Sequence, residues 1–331
     1  MDVDHAPTYD ATVSAIGRAR LDRRSLLRRS ALGFAIPAAL TAANLTTGRA
    51  SAQTTEATPA ASPLPAAGNY ASVNGLDLYY EVHGAGEPLV LLHGGFGTIA
   101  TDFGRLLPTF AQNRQVIGVE LQAHGHTADI DRPFSFEAMA DDVAALLDHL
   151  GLDSADLFGF SLGGGVALQI AIRRPELVRK LVIASTVFRR DGWHPEVLAG
   201  MSQMTAEAAA AMRETPIYQV YVQVAPRPED FPVLVGKLGE LLAQDYDWTE
   251  DIKTVTAPTL LVFGDADNVR PAHALELFEL LGGGGPGDLG AVSNAELALL
   301  PRTTHFGVLG RTDLLLPIIP PFLDAPLPEA G

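Results

Sequence analysis

The chain of 331 residues contains no cysteine. Disulfide bonds, thiolate metal ligands, a cysteine nucleophile and a lipid-modified cysteine anchor are therefore excluded. Positive charge is also scarce, because 23 Lys and Arg residues stand against 39 Asp and Glu residues, for a formal net charge of −16. An acidic surface repels nucleic acid and anionic lipid, so neither is an expected partner.

The first 52 residues have the features of a secretory signal. Residues 23–29 read RRSLLRR, an apolar stretch covers residues 31–45, and residues 50–52 read ASA. A basic region, a short apolar region and an A-x-A cleavage site together predict export. The paired arginines resemble the twin-arginine type of signal, which implies that the Tat export machinery carries the folded protein.

The apolar stretch is too short to be a permanent membrane anchor. It has about 15 residues, whereas roughly 20 are needed to span a bilayer. We therefore expect cleavage near Ala52, no stable membrane insertion afterwards, and a location in the periplasm, cell envelope or extracellular space. Residues 53–68 are rich in Ala, Thr and Pro and are predicted to be a flexible linker, which leaves residues 69–331 as the globular domain.

Short apolar runs alternate with amphipathic stretches after the linker. This alternation predicts a mostly parallel sheet that is covered by helices on both faces. Helices are predicted over residues 136–150 and 164–173. Strands are predicted over residues 70–73, 76–82, 88–92, 115–121, 155–158, 180–185, 259–263 and 296–300.

The alternation stops between residues 186 and 256. Helical patterns occur there over residues 205–213 and 231–243, with several prolines and no buried strand. An ordinary crossover between two strands is usually far shorter than this segment. We therefore predict a helical cap at about 187–255, inserted between two strands of the sheet.

Residues 159–163 read GFSLG, a G-x-S-x-G motif between a predicted strand and a predicted helix. A serine on such a turn between a strand and a helix, here called the elbow, is held in a strained and exposed position. The flanking glycines are needed because a Cβ at either place would collide with the neighbouring strand or helix. Ser161 is therefore the predicted nucleophile.

Three further motifs accompany the elbow. They are HGGFG at 93–97 after a strand, AHGHT at 123–127, and GDAD at 264–267 followed by His305. With these four motifs in this order along the sequence, the chain resembles the α/β-hydrolases, in the broad group of serine esterases and cofactor-free haloperoxidases. The resemblance covers residues 70–325. It implies the α/β-hydrolase fold, a mostly parallel eight-stranded sheet with helices on both faces and a small helical cap.

The resemblance also implies the partners of Ser161. His305 follows the last strand, where the family keeps its catalytic histidine, and a neutral imidazole can take the serine proton. The family pattern G-x-x-D selects Asp267 as the acid that orients this histidine. Asp265 is then a turn residue, although a share in the acid role stays open.

The resemblance places two backbone N–H donors of an oxyanion hole. One belongs to Leu162, directly after the nucleophile, and the other to the HGGFG loop. Gly95 is the preferred second donor and Phe96 is the alternative. His93 is expected to brace this loop rather than to act as a second base.

Neither a metal nor an organic cofactor is expected. His124 and His126 resemble half of a metal site, but no carboxylate cluster or HExxH motif accompanies them, and a structural role in their loop is preferred. No G-x-G-x-x-G opens a helix after the first strand, which argues against a dinucleotide.

The substrate is expected to be a small molecule of the ester type. Apolar and amphipathic side chains that suit a substrate pocket are Phe96, Trp193, Met201 and Tyr218. A serine at the elbow argues against epoxide hydrolases and haloalkane dehalogenases of this fold, which attack with Asp. The leading hypothesis is an exported serine hydrolase that cleaves small or medium carboxylic esters through an acyl-enzyme.

Other functions stay open on the same triad. HGGFG resembles the HGGPG loop of proline iminopeptidases, whose substrate amine binds acidic cap residues, and this chain offers Glu196, Glu207 and Glu214. Carbon–carbon bond hydrolysis and perhydrolysis use the same nucleophile. A non-enzymatic alternative is a hydrolase-fold protein that binds a ligand and turns over very slowly.

Overall fold

The computed structural model describes residues 68–290 and 292–327. The predicted signal and all but the last residue of the predicted linker lie outside the described residues. Eight strands form one sheet in the order β1-β2-β4-β3-β5-β6-β7-β8. The strands are β1 (Asn69–Val73), β2 (Leu76–His83), β3 (Glu87–Leu92), β4 (Arg114–Glu120), β5 (Ala155–Phe160), β6 (Val178–Ala184), β7 (Thr259–Ala266) and β8 (Ala295–Thr304).

Most of the sheet is parallel. Strands β3 to β8 pair with one another in parallel, while β1 with β2 and β2 with β4 pair antiparallel. Asn74 and Gly75 make the tight turn between β1 and β2 with positive φ angles of 50° and 80°, as the Asn-Gly pair predicts. This sheet and its helices confirm the predicted fold class.

Helices cover both faces of the sheet. The α-helices are α1 (Leu107–Phe110), α2 (Phe136–His149), α3 (Leu162–Arg173), α4 (Pro195–Met201), α5 (Pro216–Val224), α6 (Phe231–Ala243), α7 (Thr249–Ile252), α8 (Pro271–Leu280), α9 (Thr312–Leu315) and α10 (Ile319–Asp324). A π-helical turn covers Ile99–Phe103, and short 3-10 helices cover Pro175–Leu177, Arg190–Gly192, Ala208–Met212, Pro228–Asp230, Gly287–Leu289 and His305–Gly310.

The apolar core has one part on each face of the sheet. The larger part joins α2, α3, α8 and the segment between β6 and β7 to one face. The smaller part joins α1, α9 and α10 to the other face. The central strands are buried on both faces, which is why they read as continuous apolar runs in the sequence.

The segment between β6 and β7 contains helices α4 to α7 and no strand. Phe231, Leu234 and Leu238 of α6 point into the larger part of the core. The helical pattern over residues 205–213 corresponds to a 3-10 helix over Ala208–Met212. Among the described residues, no helix combines the length and apolarity that a membrane crossing requires.

Candidate active site

Ser161 lies at the turn between β5 and α3. Its backbone adopts φ 51° and ψ −113°, outside the common regions for a residue with a side chain. The turn is held because the Ser161 N–H donates to the Ala184 carbonyl at 2.9 Å. A Cβ on Gly163 would collide with the backbone carbonyl of Leu92. The local sequence therefore forces the serine out at the carboxyl edge of the sheet.

Three side chains from distant parts of the chain meet at this edge. Nε2 of His305 lies 3.1 Å from the Ser161 Oγ, and Nδ1 of His305 lies 2.8 Å from the Asp267 Oδ1. Asp267 follows β7 and His305 follows β8. The structure thus brings the three predicted residues into one hydrogen-bonded chain, in which a proton can pass from the hydroxyl to the imidazole.

The Asp267 carboxylate is buried and has four donors. Oδ1 also accepts from the Val269 N–H at 3.2 Å, and Oδ2 accepts from the Ser185 hydroxyl at 2.5 Å and the Gly264 N–H at 3.2 Å. Burial opposes ionisation, but the hydrogen bonds and the electrostatic attraction of His305 together outweigh it and hold the pKa of Asp267 below its usual value. The carboxylate is therefore ionised over the neutral pH range.

Asp265 points away from this chain of groups. Its side chain is exposed and accepts from the backbone N–H of Thr303 at 3.0 Å. This bond joins the last residues of β7 to the end of β8, so Asp265 belongs to the strand and not to the turn that was predicted for it. Asp265 therefore has a different place from Asp267, although the two residues are separated by only Ala266.

The HGGFG loop passes next to Ser161. The Gly97 N–H donates to the Gly94 carbonyl at 3.0 Å and closes a tight turn with Gly95 and Phe96 at its centre. Within residues 68–290 and 292–327, no hydrogen bond engages the backbone N–H of Gly95, Phe96 or Leu162. These groups are available to an oxyanion.

His93 joins this loop to the neighbouring strand. Its Nδ1 donates to the Gly94 carbonyl at 2.8 Å, and its Nε2 accepts from the Leu121 N–H at 3.0 Å. Burial lowers the pKa of His93 to about 3. The ring is therefore neutral and braces the loop through both nitrogens.

The two histidines of the AHGHT run have separate partners. Nδ1 of His124 lies 2.9 Å from the Gln122 carbonyl, whereas Nδ1 of His126 lies 2.8 Å from the Glu120 carboxylate. In the part of the chain that the structure describes, no three His, Asp or Glu side chains are grouped closely enough to hold a metal ion.

Comparison with known proteins identifies the family. A family model described as the α/β-hydrolase fold matches residues 87–282. The chain belongs to this family, and it is a hydrolase.

Two curated relatives of this chain are named as a hydrolase and an esterase. A putative carbamate hydrolase, RutD, of Azorhizobium caulinodans is 29% identical over 221 residues, which cover 62% of this chain and 82% of that protein. A pimeloyl-[acyl-carrier protein] methyl ester esterase of Aeromonas hydrophila is 30% identical over 223 residues, which cover 60% and 84%. An enol-lactonase structure from Burkholderia xenovorans superposes with a TM-score of 0.62 at 20% identity, over 77% of this chain and all of that one. The last likeness concerns the fold alone.

The four residues predicted to bind substrate lie in three different surroundings. The buried Trp193 lies edge-on to His305, with ring centroids 5.6 Å apart. Phe96 and Tyr218 both lie near the ring of Phe231, with centroids 6.3 and 5.1 Å away. Met201 is half-buried at the end of α4 and packs against the apolar core.

Leu238 of α6 is a neighbour of the oxyanion loop that the sequence pattern did not single out. Its Cδ2 lies 3.0 Å from the position that a Cβ on Gly95 would take. Helix α6 thus covers the loop closely with an aliphatic side chain. The surroundings of the hydrolase site on this side are apolar.

Asp102 is a carboxylate beneath the same loop, and it was also missed. It belongs to the π-helical turn, and its Oδ2 accepts from the Gly94 N–H at 2.8 Å. Gly97 has no room for a Cβ because this carboxylate lies against it. Burial raises the pKa of Asp102 to about 6, although bonds from Gly94 and Thr101 act in the opposite direction.

This raised pKa predicts a pH-dependent effect of Asp102→Asn. Ionisation between about pH 4 and pH 6 costs the folded wild type more than the unfolded chain, so wild-type stability declines there as pH rises. Asparagine does not ionise. The free energy of unfolding of the variant, minus that of wild type, should therefore rise by about 1–3 kcal/mol from about pH 4.5 to pH 7.5. Urea unfolding at the two pH values measures this difference. An equal difference at both pH values would contradict the prediction, and Asp153→Asn, an exposed change, is the control.

Proposed function

We propose that this hydrolase is an exported serine esterase that cleaves small or medium carboxylic esters through an acyl-enzyme on Ser161. One observation carries the proposal, namely the continuous hydrogen-bonded chain from the Ser161 hydroxyl through His305 to Asp267. The catalytic roles of these residues are part of the proposal.

In the proposed mechanism, the Ser161 Oγ attacks the ester carbonyl while His305 Nε2 takes the hydroxyl proton. The carbonyl oxygen becomes an oxyanion, which the N–H groups of Leu162 and of Gly95 or Phe96 stabilise. The carbon–oxygen bond then breaks, and His305 returns the proton to the leaving alcohol. Water attacks the acyl-enzyme by the same sequence and releases the carboxylic acid and free Ser161.

The surroundings of the site favour an apolar acyl group. Leu238 packs on the oxyanion loop, and Phe96 and Tyr218 gather around Phe231. Apolar walls with few polar groups are typical of sites for uncharged small molecules. The relatives' names, a carbamate hydrolase and a methyl ester esterase, are compatible with attack on a carbonyl that bears a heteroatom leaving group.

The aminopeptidase alternative has less support. Phe96 has a φ of 63°, whereas a proline ring fixes φ near −65°. An HGGPG loop therefore cannot adopt the conformation that this loop has. Glu196, Glu207 and Glu214 are all exposed, so they offer no buried carboxylate to a substrate amine.

A panel of p-nitrophenyl esters tests the substrate class. With residues 53–331 as the enzyme, we expect turnover of acyl chains from two to about eight carbons and a decline at longer chains. Proline p-nitroanilide should be cleaved at least a hundredfold more slowly than the best ester. Anilide turnover above ester turnover would overturn the ester assignment in favour of the aminopeptidase.

Export rests on the signal features of residues 1–52 and is tested separately. The full chain, expressed in a bacterium with a twin-arginine pathway, should appear outside the cytoplasm with Gln53 as its first residue. Replacing Arg23 and Arg24 with Lys should retain it in the cytoplasm. Export that is unaffected by this replacement would contradict the twin-arginine route.

A further inference from the structure

We propose that Ser185 is a positioning residue of the triad, whose hydroxyl holds the Asp267 carboxylate in the orientation that His305 requires. The proposal rests on the proposed esterase function for its kinetic consequence. Its geometric content concerns only Ser185, Asp267 and His305.

Ser185 lies within reach of the Asp267 oxygen that does not face His305. It follows directly on β6, which pairs with β7, and Asp267 follows directly on β7. The Ser185 N–H donates to the Val262 carbonyl at 3.0 Å, which fixes the residue against β7. Its side chain is fully buried, and its Oγ lies 2.5 Å from the Asp267 Oδ2.

The two oxygens of Asp267 have different tasks. Oδ1 accepts from His305, while Oδ2 accepts from Ser185 and from Gly264. Without the hydroxyl, Oδ2 would keep only the longer bond of 3.2 Å from the Gly264 N–H. An under-satisfied buried carboxylate oxygen is costly, so the orientation of the carboxylate is less favoured without the hydroxyl. We therefore expect Oδ1 to move relative to the imidazole.

The backbone of Ser185 supports a role for the hydroxyl. Its φ is 51°, in the left-handed region that glycine adopts without strain and other residues avoid. Ser161 and Phe96 at the same site share this feature. Strained residues tend to cluster at functional sites, where the surrounding structure holds them. Glycine would relieve the strain at position 185, but it would also remove the donor to Asp267.

Two variants remove the hydroxyl in different ways. Ser185→Ala keeps the Cβ and the strained backbone, whereas Ser185→Gly relieves the strain, so at least one of them is expected to fold. The control is Thr259→Val, which removes a buried hydroxyl bond of 2.9 Å to the Ala257 carbonyl at the opposite end of β7.

The first readout is the proton NMR resonance of the His305 Nδ1–H, which does not depend on any substrate. We expect the downfield resonance of wild type to move upfield or broaden in both Ser185 variants and to stay in place in Thr259→Val. The second readout is the rate constant for labelling of Ser161 by a fluorophosphonate. It should fall about 10- to 100-fold in both Ser185 variants, as expected for a displaced base.

The outcomes separate this proposal from the proposed function. A folded Ser185→Gly protein with the wild-type Nδ1–H resonance and labelling rate would overturn the positioning role and leave the esterase intact. A wild type that is not labelled would remove the esterase. In that case the Nδ1–H resonance still tests the positioning role, because a changed resonance in the Ser185 variants would support it and an unchanged one would overturn it.

Discussion

Replacing Ser161 with Ala should lower kcat/KM for the best ester by about 10⁴- to 10⁶-fold. The substitution removes the only hydroxyl within hydrogen-bond distance of His305 in the described residues, so no acyl-enzyme can form. A small residual rate is expected, because the oxyanion donors still stabilise attack by water. The measurement is steady-state kinetics with a p-nitrophenyl ester, with circular dichroism to verify folding.

Ser154→Ala is the matched control for this prediction. Ser154 directly precedes β5, seven residues from Ser161, and the substitution removes a hydroxyl of the same size. Its kcat/KM should stay within about twofold of wild type, as for a surface change without catalytic contacts. Retention of more than a tenth of the wild-type activity in Ser161→Ala would contradict the role of Ser161.

Replacing Asp267 with Asn should lower kcat by about 10³- to 10⁴-fold while KM changes only a few-fold. The carboxylate oxygen lies 2.8 Å from Nδ1 of His305, and in the proposed mechanism it stabilises the charged imidazole that forms during the reaction. An amide has no charge, and its NH₂ group can hold the ring in the wrong tautomer. Substrate binding does not involve this buried group, so the loss should be in kcat.

Asp265→Asn, two residues earlier in the chain, supplies the control. The Asp265 side chain is exposed and accepts from the backbone N–H of Thr303 at the end of β8. We expect less than a threefold change in kcat. A large loss in Asp265→Asn with a small loss in Asp267→Asn would mean that the wrong aspartate was assigned as the acid.

The fold was predictable because its signals are local. Buried parallel strands require apolar runs, and the elbow requires glycines beside Ser161, since a Cβ on Gly163 has no room. Strand order is not a local property, and it was not predicted. The pairing of Ser161 with His305 and Asp267 is not local either, and it followed only from the resemblance to a family that keeps these residues after particular strands.

The supporting residues could not be predicted in the same way. Ser185 is 82 residues from Asp267 along the chain, and a single serine after a strand carries no signal of its partner. In the sequence, Asp102 is indistinguishable from an ordinary polar residue in a helical turn. Its contacts with Gly94 and Gly97 become visible only in the folded structure. The contact of Leu238 with Gly95 depends on how the cap segment packs against the sheet domain. Sequence patterns that predict turns and helices do not specify this packing.

The central claim is that Ser161 is the nucleophile of an esterase, and peptide mapping after fluorophosphonate treatment tests it most directly. Wild-type protein should take up one phosphonyl group, on the peptide that contains Ser161, and ester turnover should fall in proportion to its uptake. Full turnover after complete reaction, or uptake at another residue alone, would contradict the account.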